Sequence, residues 1–182
     1  MKYRILITLL AVITFTSCNG VACGVEYPGQ NSGRRVIGVT LLTQTHTFFK
    51  DLEAGVRDAA AKHGLEVVVV ACEMDPARQA AQIEDFVAQR VVAILPAPCV
   101  SSAIVPAVAG PEAAGIPVLT ADIAAHGGKV VAHVASDNVQ GGRLAGQTLA
   151  NLIGGKGKIA IIDHPSVASV QQRVRGFEEA LK

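Results

Sequence analysis

The stretch "HVASDNVQGGRLAGQTLANLI", His133 to Ile153, decides how this chain folds. A short apolar β segment, Val130 to Val134, runs into Ser136 and Asp137, whose side chains can accept from the free N–H groups at a helix start. Helical spacing then continues from Asn138 to Ile153, and Gly141 and Gly142 permit a close helix neighbour. The motif "ASDNVQGG", Ala135 to Gly142, is thus a strand-to-helix junction.

The same alternation precedes it. Val36 to Leu42 is an apolar β run that opens "VIGVTLLTQTHTFFKDLEAG", Val36 to Gly55. Phe49, Leu52, Val56 and Ala59 give the segment from Phe48 to His63 a helical face, and Gly64 ends it. "LEVVVVA", Leu65 to Ala71, is a strand. Asp75-Pro76 supplies an N-cap and a first-turn proline for a helix that turns Ala80, Ile83, Phe86 and Val87 inward. Val91 to Leu95 is a strand. Ser101 or Ser102 starts a helix to Ala113, which Pro106 and Pro111 shorten or bend. Gly115 to Asp122 is a strand, Lys158 to Ile162 another, and Ser169 to Leu181 a helix.

Alternating strands and helices imply right-handed βαβ units and a parallel sheet. Continuous Val and Ile runs imply strands buried on both faces. In such sheets ligands bind beyond the carboxyl ends of the strands. The candidate loops are Thr43–Phe49, Cys72–Asp75, Pro96–Ser101, Asp122–Ala125 and Asp163–Arg173.

The first 17 residues read as a signal peptide: Lys2 and Arg4 precede an apolar run from Ile5 to Ile13 that is too short to span a bilayer. "TFTSC", Thr14 to Cys18, resembles a lipoprotein cleavage box, with Phe15 where such boxes usually carry Leu. Lipidation of Cys18 would anchor the chain at a membrane surface; the other reading is an ordinary secretory signal cleaved elsewhere. Residues 18–34 form a tether rich in turn-forming residues. Removing the signal takes away two cations and no acid, so a net charge of +1 becomes −1. That leaves no basic field for nucleic acid. Of the remaining cysteines, Cys72 and Cys99 each follow a strand. With a strand order of 2-1-3, the first strand would separate them by roughly 10 Å, twice the strand spacing. Buried thiols are therefore expected there rather than a bridge.

The two long stretches quoted above resemble the substrate-binding proteins of bacterial sugar ABC transporters, the ribose-binding-like branch of the type I periplasmic binding proteins. The resemblance implies an N-terminal lobe over residues 35–136, with a parallel doubly wound, Rossmann-like sheet, and the start of a similar C-terminal lobe over residues 137–182. Ser136, Asp137 and Asn138 would be the hinge where the chain first crosses between lobes. A usual member continues beyond the helix that ends here at Lys182, so the chain is expected to be a fragment; the alternative is a small, complete single-lobe protein.

The resemblance also assigns residues. In "THTFFKDLEAG", Thr45 to Gly55, Phe48 and Phe49 match aromatics that stack on a sugar ring, although Phe49 shares a face with Leu52 and Val56 and also fits the core. His46 stands where many members carry a hydroxyl-binding Asn, and imidazole can both donate and accept. Asp122, at a strand end, would accept two sugar hydroxyls. Arg173 in "QRVRGF" would reach across the cleft from the second lobe. Ile123 and Ala97 depart from the family, which often has Arg and Asn there. They suggest a smaller or less polar ligand.

There is no G-x-S-x-G, H-E-x-x-H or phosphate loop in the order such motifs require, and no cysteine spacing that suggests zinc. The reading is a non-enzymatic, exported solute-binding component of an ABC importer, without cofactor or metal. It would be a monomer, located in the periplasm or on the outer face of the cell membrane, with a membrane permease as partner. A sensory receptor of the same fold, feeding a membrane sensor or chemoreceptor, is the alternative. The ligand core of a LacI-type repressor ranks lower, since a signal segment stands where its DNA-binding helices would be.

Overall fold

A computed structural model describes Gly33 and residues 35–182. The signal peptide, Cys18 and almost all of the tether lie outside the described residues. The elements run β1 (Val36–Leu41), α1 (Thr47–Lys62), β2 (Glu66–Ala71), α2 (Pro76–Ala88), β3 (Ala93–Pro96), α3 (Ala109–Ala113), β4 (Leu119–Ala121), β5 (Ala132–Val134), α4 (Asn138–Leu152) and α5 (Ala168–Ala180).

β1 lies between β2 and β3, parallel to both, in the order β2-β1-β3. β4 and β5 form a second parallel pair. A bridge between Ile94 and Val118, with the Ile94 N–H donating to the Pro117 carbonyl over 3.0 Å, carries the first sheet on to the second. Helices cover both faces of the central strand. Phe49 of α1 packs in a cluster with Val39 and Leu41, while Ile83 and Phe86 of α2 pack with Val36, Ile94 and Val118. Gly38 makes room for α2: a Cβ there would stand 2.5 Å from the Phe86 ring.

The end signals act as expected. Asp75 Oδ1 accepts from the N–H groups of Ala77 (2.8 Å) and Arg78 (3.2 Å). Gly64 closes α1 in the left-handed conformation, φ +65°. The helix expected from Ser101 to Ala113 is broken: turns lead to a 3₁₀ turn at Pro106–Val108, and α3 is only five residues long. Pro106 and Pro111 lack the N–H groups a continuous helix needs.

The second lobe departs from expectation in one element. Residues 158–162 adopt no strand; they are exposed, and Ile162 is fully so. Apolar alternation alone does not make a strand. Its N–H and C=O groups need a ladder partner, and no described strand runs beside this segment. α4 and α5 instead pack on each other through glycines. A Cβ on Gly142 would stand 2.0 Å from the Arg173 carbonyl oxygen, and one on Gly176 would stand 2.0 Å from that of Val139. Gly141, expected to share this role, faces open space.

Candidate functional site

The carboxyl ends of the first-lobe strands meet the loop leading into α5 around a cavity of about 320 Å³, within the size range of small-molecule sites. Leu42, His46, Phe48 and Phe49 line it from the β1–α1 connection, Asp122 and Ile123 from the end of β4. His164, Val167, Ser169, Val170 and Arg173 line it from the second lobe. The five residues read as ligand-binding from sequence (His46, Phe48, Phe49, Asp122 and Arg173) thus converge on one cavity. Of the five candidate loops, Cys72–Asp75 and Pro96–Ser101 do not line it.

His46 is the N-cap of α1. Its Nδ1 accepts the Phe48 N–H over 3.1 Å, so Nε2 carries the ring hydrogen and is left as a donor. Phe48 is 45% exposed, whereas Phe49 is 6% exposed and belongs to the core. Their rings meet edge to face, centroids 5.2 Å apart, so the buried ring braces the open one.

Asp122 sits where β4 stops. Its N–H still donates to the Val134 carbonyl (2.8 Å), the last bond of the β4–β5 ladder. Its φ of +61° then turns the chain into the left-handed region, which Asp tolerates better than most residues. The side chain is half-buried, and burial raises its pKa; the charges of Arg173 and His133 act in the opposite direction and only partly offset it. His133 is itself held by Thr120, Nδ1 to Oγ1 2.8 Å.

Arg173 projects from α5 and donates from Nε to the Ser169 carbonyl over 3.2 Å. Arg175 points elsewhere, toward Glu179 at 3.8 Å. At the start of α4, Asp137 caps the helix by accepting the Gln140 N–H (2.9 Å). Asn138 is buried and its Nδ2 donates to the Ser136 carbonyl (3.1 Å) and to Gln172 Oε1 on α5 (3.4 Å). Ser136 makes no cap; its carbonyl serves Asn138 instead.

Three lining residues were not named from the sequence, His164, Val167 and Val170, and Ser169 was named only as the start of a helix. All four fall inside the candidate loop Asp163–Arg173, but none belongs to a motif. Among the described residues no cluster of three or more His, Cys, Asp or Glu side chains could hold a metal.

The model of the periplasmic binding protein domain matches residues 37–182. The ribose import binding protein of Bacillus subtilis is 37% identical over 164 residues, covering 86% of this chain and 54% of that protein. The ribose import binding protein of Escherichia coli is 30% identical over 167 residues, 91% and 56% of the two chains. Among solved structures, an ABC transporter solute-binding protein from Bacillus halodurans with bound myo-inositol superposes with a TM-score of 0.75 at 28% identity, over 84% of this chain and 54% of the other. This chain therefore spans about half the length of the curated relatives it matches. With its parallel α/β sheet and the match over residues 37–182, the chain belongs to the periplasmic binding protein family.

Proposed function

We propose that this chain carries most of the binding site of an extracytoplasmic solute-binding protein for an ABC importer, and that its cavity takes a small, monosaccharide-like carbohydrate. The observation that carries the reading is that Asp122, Arg173 and the open face of Phe48 border one cavity from two lobes. An aromatic face suits the C–H side of a sugar ring. A carboxylate accepts two hydroxyl hydrogens, and a guanidinium donates to two oxygens. His46 adds a donor at Nε2. Apolar Ile123 lies beside Asp122, which favours a ligand with an unsubstituted or less polar edge there.

Ligand that touches both lobes binds the closed arrangement better than the open one and shifts the equilibrium by that difference. Ser136, Asp137 and Asn138 are the residues proposed to absorb the motion, with residues 35–136 and 137–182 on either side. Export through residues 1–17 and lipidation at Cys18 would place the protein beside its permease. Support for this is the charged, apolar and small-residue order up to Cys18.

The test is a thermal-shift and calorimetry screen of pentoses, hexoses and polyols. A bound sugar at 100 times its Kd raises stability by about 2.7 kcal/mol. Asp122→Ala should abolish the response. A sugar that binds the variant unchanged would overturn the site, and no response to any member of the panel would overturn the ligand class.

A further inference from the structure

Seven polar side chains are buried among the described residues, and six of them bond to protein. Ser101 Oγ accepts the Ala168 N–H, for example, and Asn138 Nδ2 donates to Gln172 Oε1. The seventh is Ser169. It is only 3% exposed, yet its hydroxyl meets no donor or acceptor among the described residues; only its carbonyl is engaged, by Arg173. No fully enclosed side-chain oxygen or nitrogen among the described residues lacks a partner. The Ser169 hydroxyl must therefore reach open space, and the open space this residue borders is the cavity. Leaving a buried hydroxyl unpaired costs about 1–3 kcal/mol, so this one offers its bond to whatever fills the cavity.

Its place on the helix adds a second free group. Ser169 lies in the first turn of α5, where backbone N–H groups need acceptors from outside the helix. Val167, the N-cap residue, has no side-chain oxygen to give. Ser101 serves the Ala168 N–H, and the Val167 carbonyl serves those of Val170 and Gln171, both over 3.1 Å. The Ser169 N–H has no partner among the described residues. One residue thus carries two unused polar hydrogens at the positive end of a helix. Arg173 stands one turn further on. Its Nε donates to the Ser169 carbonyl over 3.2 Å, which draws the guanidinium back toward the serine along the helix face they share.

We propose that Ser169 is a ligand contact that sets specificity: its hydroxyl, with its N–H beside it, holds one hydroxyl oxygen of the bound solute next to the oxygens taken by Arg173. The inference rests on the sugar-site reading above and extends it to the second-lobe wall. Ionised Asp122 can only accept, and Arg173 can only donate. The serine hydroxyl does both, as a sugar hydroxyl does, so the two can exchange a bond in either direction. A solute lacking that one oxygen would leave the Ser169 hydroxyl and N–H shut off from water and unpaired. A site that bonds a hydroxyl discriminates against the analogue without it far more strongly than an apolar wall discriminates against an added one. Ser169 would therefore select for an oxygen at one ring position, while Ile123 tolerates its lack at another.

The experiment is calorimetry on the full chain, wild type and Ser169→Ala, with the tightest-binding member of the pentose, hexose and polyol panel and each of its monodeoxy analogues. Ser169→Ala should raise the Kd of the parent sugar roughly three- to tenfold. The same ratio of variant to wild type should recur for every analogue except one, the analogue that lacks the oxygen Ser169 holds, for which the ratio falls to about one. The Tm of the sugar-free variant should hold or rise, because the change removes a hydroxyl that bonds to nothing in the protein. An unchanged Kd for the parent sugar, or one ratio shared by the parent and every analogue, would overturn the proposal. So would a loss of affinity accompanied by a lower Tm, which would make the serine a structural residue. If Asp122→Ala abolishes binding while Ser169→Ala leaves it intact, the sugar site stands and this contact alone falls. A wild-type chain that binds no member of the panel takes both readings down.

Discussion

The backbone N–H of Ala168 donates to the hydroxyl oxygen of Ser101 over 3.0 Å, across 67 residues of chain. Ser101 is fully buried in the loop after β3, and Ala168 is the first residue of α5. The N-cap residue of α5, Val167, has no side chain able to cap the helix, so the opposite lobe supplies the oxygen. The Ser101 N–H also donates to the Ser166 carbonyl (3.3 Å), and the Ser101 carbonyl accepts from His126 (2.8 Å). One serine thus ties the first lobe to the loop that brings His164, Ser169 and Arg173 to the cavity.

Ser101→Ala should weaken closure. It leaves the Ala168 N–H buried and unpaired, a penalty of about 1–3 kcal/mol that an open form avoids by exposing the group to water. Calorimetry with the best sugar of the panel should show Kd raised by roughly tenfold. An unchanged Kd would mean that the contact does not distinguish open from closed.

Asp122→Asn should separate binding from stability. The amide keeps the left-handed backbone accessible but gives up the charged acceptor, and hydrogen bonds to charged groups contribute about 1.5–3 kcal/mol each. Affinity should fall by more than about tenfold. The Tm of the sugar-free protein should hold or rise, because the substitution removes an anion that burial disfavours. A fall in Tm with intact affinity would reverse the assignment.

Acidification should move binding and stability in opposite directions at this residue. The folded pKa of Asp122 is raised by burial, so the neutral acid is favoured in the folded state. Its stabilising contribution is complete below the unfolded pKa and lost as pH rises through the folded one. Sugar affinity should drop as pH falls through the folded pKa, since protonation removes the charged acceptor. Kd measured from pH 7 downward should rise in the wild type and stay flat in Asp122→Asn.

The two phenylalanines should behave differently. Phe48→Ala should cost affinity with little change in Tm, because that ring is half open. Phe49→Ala should cost about 3–5 kcal/mol of stability in urea unfolding, as truncation of a core aromatic does. Equal losses of stability would remove Phe48 from the ligand face.

Paired glycine variants should test the second lobe. Gly142→Ala forces a methyl group to within 2.0 Å of the Arg173 carbonyl, and overpacking of this kind costs about 1–3 kcal/mol. Gly141→Ala meets nothing within 4 Å and should stabilise α4 by up to about 1 kcal/mol. Circular dichroism melts of the two should therefore shift in opposite directions.

What could be read ahead of the structure was local. Caps such as Asp75 and stops such as Gly64 follow from residue type and spacing, and the β2-β1-β3 order is the one expected for the doubly wound sheet. The convergence of His46, Asp122 and Arg173 was legible through the family's motifs. Non-local features were not. Residues 158–162 carry a strand's pattern, but pairing depends on a neighbour far along the chain. The course of the loop after Ala97 depends on Gln79, 2% exposed, whose Oε1 accepts the Cys99 N–H and whose Nε2 donates to the Ala97 carbonyl. His164 is an unremarkable loop histidine until the fold brings it to the cavity.

The left-handed backbone at Asp122 restricts which side chains can stand at this rim of the cavity. Only glycine, asparagine and aspartate sit easily at φ near +61°. The rim of the sheet can thus present a carboxylate, an amide or nothing. A longer acid, a hydroxyl or a branched side chain would have to overcome a conformational penalty before meeting any solute. Change in what the cavity accepts should therefore proceed through neighbours such as Ile123 and His164, with the rim residue drawn from that short alphabet.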